Sequence, residues 1–310
     1  MLDINRLRML VELSRRGTLS AVADALSYSK ASVSQQLSAL ERDVGVPLLR
    51  RVGRGVQLTP QGAVLVEQAI GILDQLEHAE VAVAESLTEV TGTVHIAVFQ
   101  TAAHALLPPA LLALQQQHPS LRVDVAECDP ETSLDGVASR DFDLMLAEQY
   151  PGRTRPINAD LDRVVLTHDA ITLARRPGSA PASDAAAALW ATRDDPWVLE
   201  PAGTASRAWA EQLCRTAGFE PDVHFEVADL TTHIRLIRAG LAVGLLPELV
   251  WAGDDPTVDV TPLPGAPRRE VFSSARRVSA AAPAIRAVRQ ALAEAAAVIL
   301  PDDAWVSRHV

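Results

Sequence analysis

Ser27–Glu41 reads SYSKASVSQQLSALE. Val33, Leu37 and Leu40 recur at the spacing of one helix face. Between them stand short polar residues: Ser29, Lys30, Ser32, Ser34, Gln35 and Gln36. A buried helix would not carry so many, and an ordinary solvated helix carries more charge. The combination therefore needs a reason beyond packing.

The flanks supply one. Residues 4–16 are helical in pattern, with Leu7, Leu10 and Leu13 on one face and Gly17 as the stop. Thr18 or Ser20 can cap a second helix whose apolar face is Leu19, Val22, Ala23 and Leu26. After the turn SYS, Ser29 can cap a third helix, about 30 to 44, that ends at Gly45. Two short helices joined by a tight turn, the second polar outward, form a helix-turn-helix. Gly53-Arg54-Gly55 can then turn a hairpin between PLLRRV and VQLT, a wing with Arg50, Arg51 and Arg54 at its base and tip. Such a helix enters the major groove N-terminus first. Serine hydroxyls and backbone amides at the start of the helix, from Ser29 and Ser32 on, meet phosphate, while lysine and glutamine reach base edges. The bland alternative is a solvated helix in a small bundle.

Charge favours the DNA reading. Residues 1–60 hold nine basic and five acidic side chains, although the whole chain carries −11. A small basic unit on an acidic body directs only the first part at a polyanion. At 310 residues the chain has the length of about two domains.

Residues 1–60 resemble the winged helix-turn-helix of LysR-type transcriptional regulators, through GTLSAVADALSYSKASVSQQLSALERDVGVPLLRRVGRGVQLTPQG. The resemblance continues along the chain in length and order of parts. Lys30 stands where the family most often has glutamine, Ala31 where it often has proline, and Gln35 in place of a frequent arginine. The base-reading role carries over by position to Lys30, Ser34 and Gln35. The implied architecture is an N-terminal all-α winged helix-turn-helix with a long linker helix. A C-terminal α/β two-lobed effector domain resembling a periplasmic binding protein follows. The expected domains are residues 1–60, a linker and hinge at 61–90, and an effector domain at 91–310. Its lobe one is expected at 91–162 and 269–310, and its lobe two at 163–268.

Thr59-Pro60 opens the long helix, expected to about Leu87. Leu65, Ala69, Ile72, Leu76, Ala79 and Val83 follow a 4-3-4-3-4 spacing, a seam for a partner helix. The alternative is that this face packs on its own domain. The resemblance implies dimerisation here, in a dimer or tetramer.

From Thr93 onward strands and helices alternate, which predicts mainly parallel sheets with a ligand beyond the strands' carboxyl ends. The strand VHIAVF delivers the chain to Gln100, Thr101 and Ala102, and PWVLE delivers it to Gly203, Thr204 and Ala205. Each is read as a helix start with free amides, and the resemblance places the two across a cleft. Plain capping by Thr101 and Thr204 is the simpler account of either alone. No arginine is read at these strand ends, while Glu148 and Asp229 are. The effector is expected to be a small carboxylate, or an amino acid whose amino group meets those acids.

Other classes lack their signatures. Lys30, the only lysine, follows Ser29, so no P-loop exists, and neither G-x-S-x-G, H-E-x-x-H nor C-x-x-C occurs. The eight histidines lack metal-ligand spacing, so no metal or cofactor is expected. Cys128 and Cys214 stand far apart, without the close pair of peroxide-sensing relatives. No run of 18 apolar residues and no apolar secretory core is present, so the expected compartment is cytoplasmic and no membrane is a partner. The expected partners are double-stranded DNA, a small effector, a second copy of the chain and RNA polymerase. A constitutive repressor or structural DNA-binding protein without a ligand is the alternative.

Overall fold

The computed structural model describes residues 1–53, 55–128, 134, 136–154 and 158–300. Contacts divide the chain into two units. One is Met1–Thr88 with the short stretches Ala138–Asp141 and Ala281–Pro283, and the other contains the rest.

The first unit is built on helices α1 (Ile4–Arg16), α2 (Leu19–Ala25) and α3 (Lys30–Val44), a hairpin of β1 (Leu49–Val52) and β2 (Gly55–Leu58), and the long α4 (Pro60–Glu85). Each start is capped as its sequence suggests. The Thr18 and Ser29 hydroxyls accept from Ala21 N and Ser32 N at 3.2 and 3.1 Å. Such a cap contributes about 1 kcal/mol. Gly17 and Gly45 end α1 and α3 in the left-handed region, at φ 73° and 82°. Leu10, Val22, Val33, Leu37, Leu40 and Ala69 share one buried core. Truncating such a leucine to alanine costs about 2–5 kcal/mol.

The wing is tied to α3 from behind, where Glu41 Oε1 accepts from Leu48 N and Leu49 N at 2.9 and 3.0 Å. A Cβ on Gly62 would lie 2.2 Å from the Leu48 carbonyl oxygen. Only glycine therefore lets α4 start this close to the wing.

The second unit holds β3 (Gly92–Val98), α5 (Gln100–Ala105), α6 (Leu107–Gln117), β4 (Leu121–Glu127), β5 (Leu144–Gln149) and β6 (Val164–Arg175). After these come α7 (Ala185–Trp190), β7 (Pro196–Leu199), α8 (Ala205–Thr216), β8 (Asp222–Glu226), α9 (Leu230–Arg238) and β9 (Gly244–Pro247). A 3₁₀ turn at Glu248–Trp251, β10 (Asp259–Pro262), β11 (Arg268–Ala275) and α10 (Pro283–Ile299) complete it. It is an α/β fold of two lobes. In lobe one, β3 pairs in parallel with β4 and β5. In lobe two, β7 pairs in parallel with β8, and a bridge from Trp197 to Val243 joins them to the stretch leading into β9.

The expectation of mainly parallel sheets is corrected. Strand β11 is antiparallel to β5 and β6, and β6 is antiparallel to β9 and β10. The reason is topological: β6 leaves lobe one for lobe two, β11 brings the chain back, and neighbouring outward and return strands must oppose. The pattern predicts a helix over about 101–107 that ends at Pro108; instead α5 stops at Ala105 and Pro108 lies in the first turn of α6, where a missing N–H costs nothing. The pattern also predicts a helix near 131–139; residues 134 and 136–138 are helical, and 131–133 and 135 lie outside the described residues.

Candidate functional site

In the first unit, α3 presents two faces. Val33, Leu37 and Leu40 point into the core, while Ser29, Lys30, Ser34 and Gln35 are exposed and Ser32 is half-buried. Gln36 is taken by the back of the motif: its Oε1 accepts from Arg6 Nε at 2.9 Å, and Arg6 also pairs with Asp43 at 2.6 Å. Helix α3 is thus held from behind and its outer polar face is left to solvent. Arg50 and Arg51 are exposed on β1, and Arg50 Nη2 donates to Gln57 Oε1 at 3.0 Å across the hairpin. Arg54 lies outside the described residues.

Helix α4 divides the expected seam. Ala69 is fully buried and Leu65 packs on the same core, beside Val66 and Leu73. Ile72, Leu76 and Val83 are 41%, 40% and 65% exposed, and Ala79 is exposed too. The first turns of the seam therefore belong to their own domain, where Val66, Ala69 and Leu73 join the helical core. The remainder is an exposed apolar stripe, on a stretch of helix whose Val81 is buried and whose Asp74 and Glu77 pair with Arg140.

In the second unit, the start of α5, the end of β5, the start of β11 and the start of α9 converge. Gln100 bridges the lobes: its Nε2 donates to Asp229 Oδ1 at 2.8 Å and its Oε1 accepts from Leu230 N at 3.0 Å. Asp229 in turn caps α9, accepting from Thr231 N and from the Thr232 amide and hydroxyl. Desolvation would raise its pKa, but the Thr232, Thr231 and Gln100 hydrogen bonds outweigh that and hold it at about 2.

Arg269 stands at the centre of this region, 2% exposed. Its Nε and Nη2 meet Asp169 Oδ2 at 2.8 and 2.6 Å, its Nη1 meets Glu148, and its Nη2 donates to Thr101 Oγ1 at 2.7 Å. The guanidinium also lies 5.4 Å from the centre of the Phe99 ring. Burial pushes the Asp169 carboxyl up, against the pull of Arg269. Burial alone would lower the Arg269 pKa, but Glu148 and Asp169 raise it, so the guanidinium stays charged. The sequence reading looks for an arginine only at the strand ends; Arg269 reaches the region from the start of β11 instead. Along β11, Arg269 shares a face with buried Val271 and Ser273, but Phe272 and Ser274 on the other face are buried too, so no alternation in the sequence marks Arg269 out.

The threonines differ from their expected symmetry. Thr101 lies inside α5, whose N-cap is Phe99 and which has no side-chain cap. Ala102 is fully buried. Thr204 is a plain cap: it accepts from Arg207 N at 3.3 Å and donates to Pro201 O at 2.9 Å. Gly203, at φ 98°, makes the preceding turn.

Two openings flank the network. One, of about 340 Å³, is lined by Gln100, Thr101, His104, Glu127, Leu230 and Thr231. The other narrows to about 30 Å³ among Tyr150, Leu199, Glu200, Trp209, His233 and neighbours. Among the described residues no group of His, Cys, Asp and Glu could hold a metal. Cys214 is fully buried with its thiol pushed up to about 12, by burial first and then by Glu220, so it is a poor thiolate source.

A winged helix-turn-helix with an outward polar reading helix, joined to a two-lobed α/β unit with a cleft, defines a ligand-responsive transcriptional regulator. Residues 4–63 match the family model "Bacterial regulatory helix-turn-helix protein, lysR family", and residues 88–297 match "LysR substrate binding domain". The chain belongs to the LysR family of transcriptional regulators. It is 29% identical over 260 residues to the transcriptional dual regulator GltC of Bacillus subtilis, covering 84% of this chain and 85% of that one. Its fold is similar to a full-length OxyR variant of Pseudomonas aeruginosa, with TM-score 0.67 and 20% identity over 97% of this chain and 96% of that one. It is also similar to full-length CbnR complexed with its target DNA, with TM-score 0.52 and 22% identity over 95% and 100%. These relatives are regulators rather than enzymes. No described helix is long and apolar enough to cross a membrane.

Proposed function

We propose that this regulator reads its operator through Lys30, Ser34 and Gln35 and anchors on phosphate through Ser29, Ser32 and the wing arginines Arg50, Arg51 and Arg54. The observation that carries this is the outer face of α3, exposed and polar while its other side is fixed to the core. The regulator works in the cytoplasm as a dimer or tetramer, joined through the Ile72, Leu76, Ala79 and Val83 stripe of α4, and acts on RNA polymerase. Its effector enters the interlobe cleft bordered by Gln100, Thr101, Glu148, Glu200 and Asp229. The effector is a small carboxylate or amino acid.

The test is Gln35→Ala. Binding to the cognate site weakens by about 1–3 kcal/mol, while non-specific duplex is bound nearly as before. A footprint of the purified protein on its own upstream DNA supplies the site. Equal losses on cognate and random DNA would remove Gln35 from the reading face.

A further inference from the structure

The chain of the second unit crosses into the first for four residues. It leaves at Val137, runs through Ala138–Asp141 as part of the DNA-binding unit, and returns at Phe142. Both ends of the crossing are fixed in the second unit. Val137 is 0% exposed and packs with Met145 and Ala147 of β5 and Phe272 of β11. Arg276, directly after β11, donates from Nη1 to Val137 O and Phe142 O at 2.9 and 2.7 Å. Its Nη2 meets Asp143 Oδ1 at 3.1 Å.

The four residues between are held by the first unit. Arg16 Nη2, at the end of α1, donates to both Asp141 oxygens at 2.7 and 2.6 Å, while its Nε meets Glu12 Oε2 at 2.6 Å. Arg140 Nη2 pairs with Asp74 Oδ1 and Glu77 Oε2 of α4 at 2.7 and 3.3 Å. Arg140 stands at φ 63°, in the left-handed region. A non-glycine residue keeps that conformation only where its surroundings determine it. A loop that merely led into β5 would need neither the strained arginine nor its two acids. The Asp74 and Asp141 side chains are 33% and 36% exposed, so these pairs are weak enough to break and re-form.

The far end of the same two strands borders the cleft. Strands β5 and β11 pair in antiparallel register from Leu144 with Ala275 to Gln149 with Glu270. Glu148 and Arg269 therefore stand at one end of a two-stranded ladder, and Asp143 and Arg276 at the other. A paired ladder is stiff along its strands, so a shift at the cleft end reaches the crossing.

We infer that Ala138–Asp141 is a relay with two states, held on α1 and α4 or released, and that it ties the Glu148–Arg269 end of β5 and β11 to the DNA-binding unit. By linkage, whatever shifts the cleft end toward one state changes operator affinity, and operator DNA shifts the cleft end in return. The relay needs DNA binding by the first unit and no particular effector in the cleft.

The test is hydrogen exchange of the full chain, alone and with a saturating duplex that carries the footprinted upstream site. In the parent, the duplex changes exchange at residues 138–142, and beyond them in β5, by at least twofold. Arg140→Gly with Asp141→Asn removes both sets of ion pairs, lets φ 63° stand without strain, and leaves α3 and the wing untouched. In that variant residues 138–142 exchange at least tenfold faster, and the response of β5 to the duplex is lost. Asp141→Asn alone, at a partly exposed side chain, keeps the fold and loses part of the response. Unchanged exchange in α1 and α3 without duplex reports that each variant folds. A β5 response that survives in the double variant would overturn the relay. So would a parent whose β5 does not respond, or a double variant whose residues 138–142 exchange as slowly as the parent's.

Discussion

The outer face of α3 and the interlobe cleft are both polar, but they spend their polar groups differently. On α3, the side chains of Lys30, Ser34 and Gln35 are exposed and, among the described residues, make no hydrogen bond within the chain. In the cleft, Arg269 alone gathers Asp169, Glu148, Thr101 and Tyr150, and Gln100 is matched at both ends of its amide. The first surface is finished apart from its partner. The second is already satisfied internally, so a ligand there must replace existing bonds or add to them. A DNA face can therefore be rigid and open, whereas a switch needs a set of bonds that can be exchanged.

The largest expected effect tests whether the cleft network is structural as well as functional. Arg269→Ala leaves Asp169, 0% exposed, and Glu148 facing each other without their cation. Removing one partner of such a buried set costs about 3–5 kcal/mol. Denaturant unfolding of the full chain should show that loss in the effector unit, while the winged helix-turn-helix transition stays in place. Arg269→Met with Asp169→Leu should recover part of it, since an apolar replacement strands no charge. A loss below about 1 kcal/mol for Arg269→Ala would mean that water reaches the network and that the contrast with α3 is overstated.

Next in size is the apolar stripe of α4, which in this comparison resembles the α3 face: exposed, and with no internal partner to satisfy. Ile72→Glu places a charge in a seam that a second chain would cover. Burying an uncompensated polar group costs at least about 2 kcal/mol. Because Ile72 is 41% exposed, the variant should fold as the parent does. Sedimentation should then show monomers, and operator binding should fail because two half-sites need a fixed spacing. An unchanged oligomer would assign assembly to another surface.

What could be read from the chain follows the same division. The caps at Thr18, Ser29 and Thr59, the stops at Gly17 and Gly45, and the core face of α3 are local, decided within four residues. They were legible for that reason. Arg269 and its partners lie 100, 121 and 168 residues apart in sequence, so no window could unite them. The fate of Leu65 and Ala69 was hidden for a related reason. A 4-3-4 spacing shows that a face is apolar but not which neighbour covers it, and here the covering neighbour is the domain's own core. The antiparallel pairing of β6 with β11 depends on the chain returning between lobes, which periodicity does not encode.

The smallest effect asks whether the Gln100 bridge is a true clasp or only a helix cap that happens to touch it. Asp229 does two jobs: it caps α9 and it receives Gln100. Asp229→Ala should cost about 1 kcal/mol at neutral pH for the cap. Gln100→Ala leaves the cap and removes only the bridge. If the bridge holds the lobes, the double variant loses less than the two single losses together, by about 0.5–1 kcal/mol. Additive losses would reduce Asp229 to a cap. The pH dependence has a definite sign. The folded carboxyl titrates at about 2, below its ordinary value of 3.8. Its contribution is therefore complete above that ordinary value and is lost as the pH falls through about 2. The difference between parent and Asp229→Ala should hold steady from neutral pH down to roughly 5 and then shrink, since the parent's unfolded carboxyl takes up its proton near the ordinary value of 3.8 while the folded one stays charged until about 2. A difference that grew on acidification would show that the protonated acid, not the carboxylate, makes these bonds.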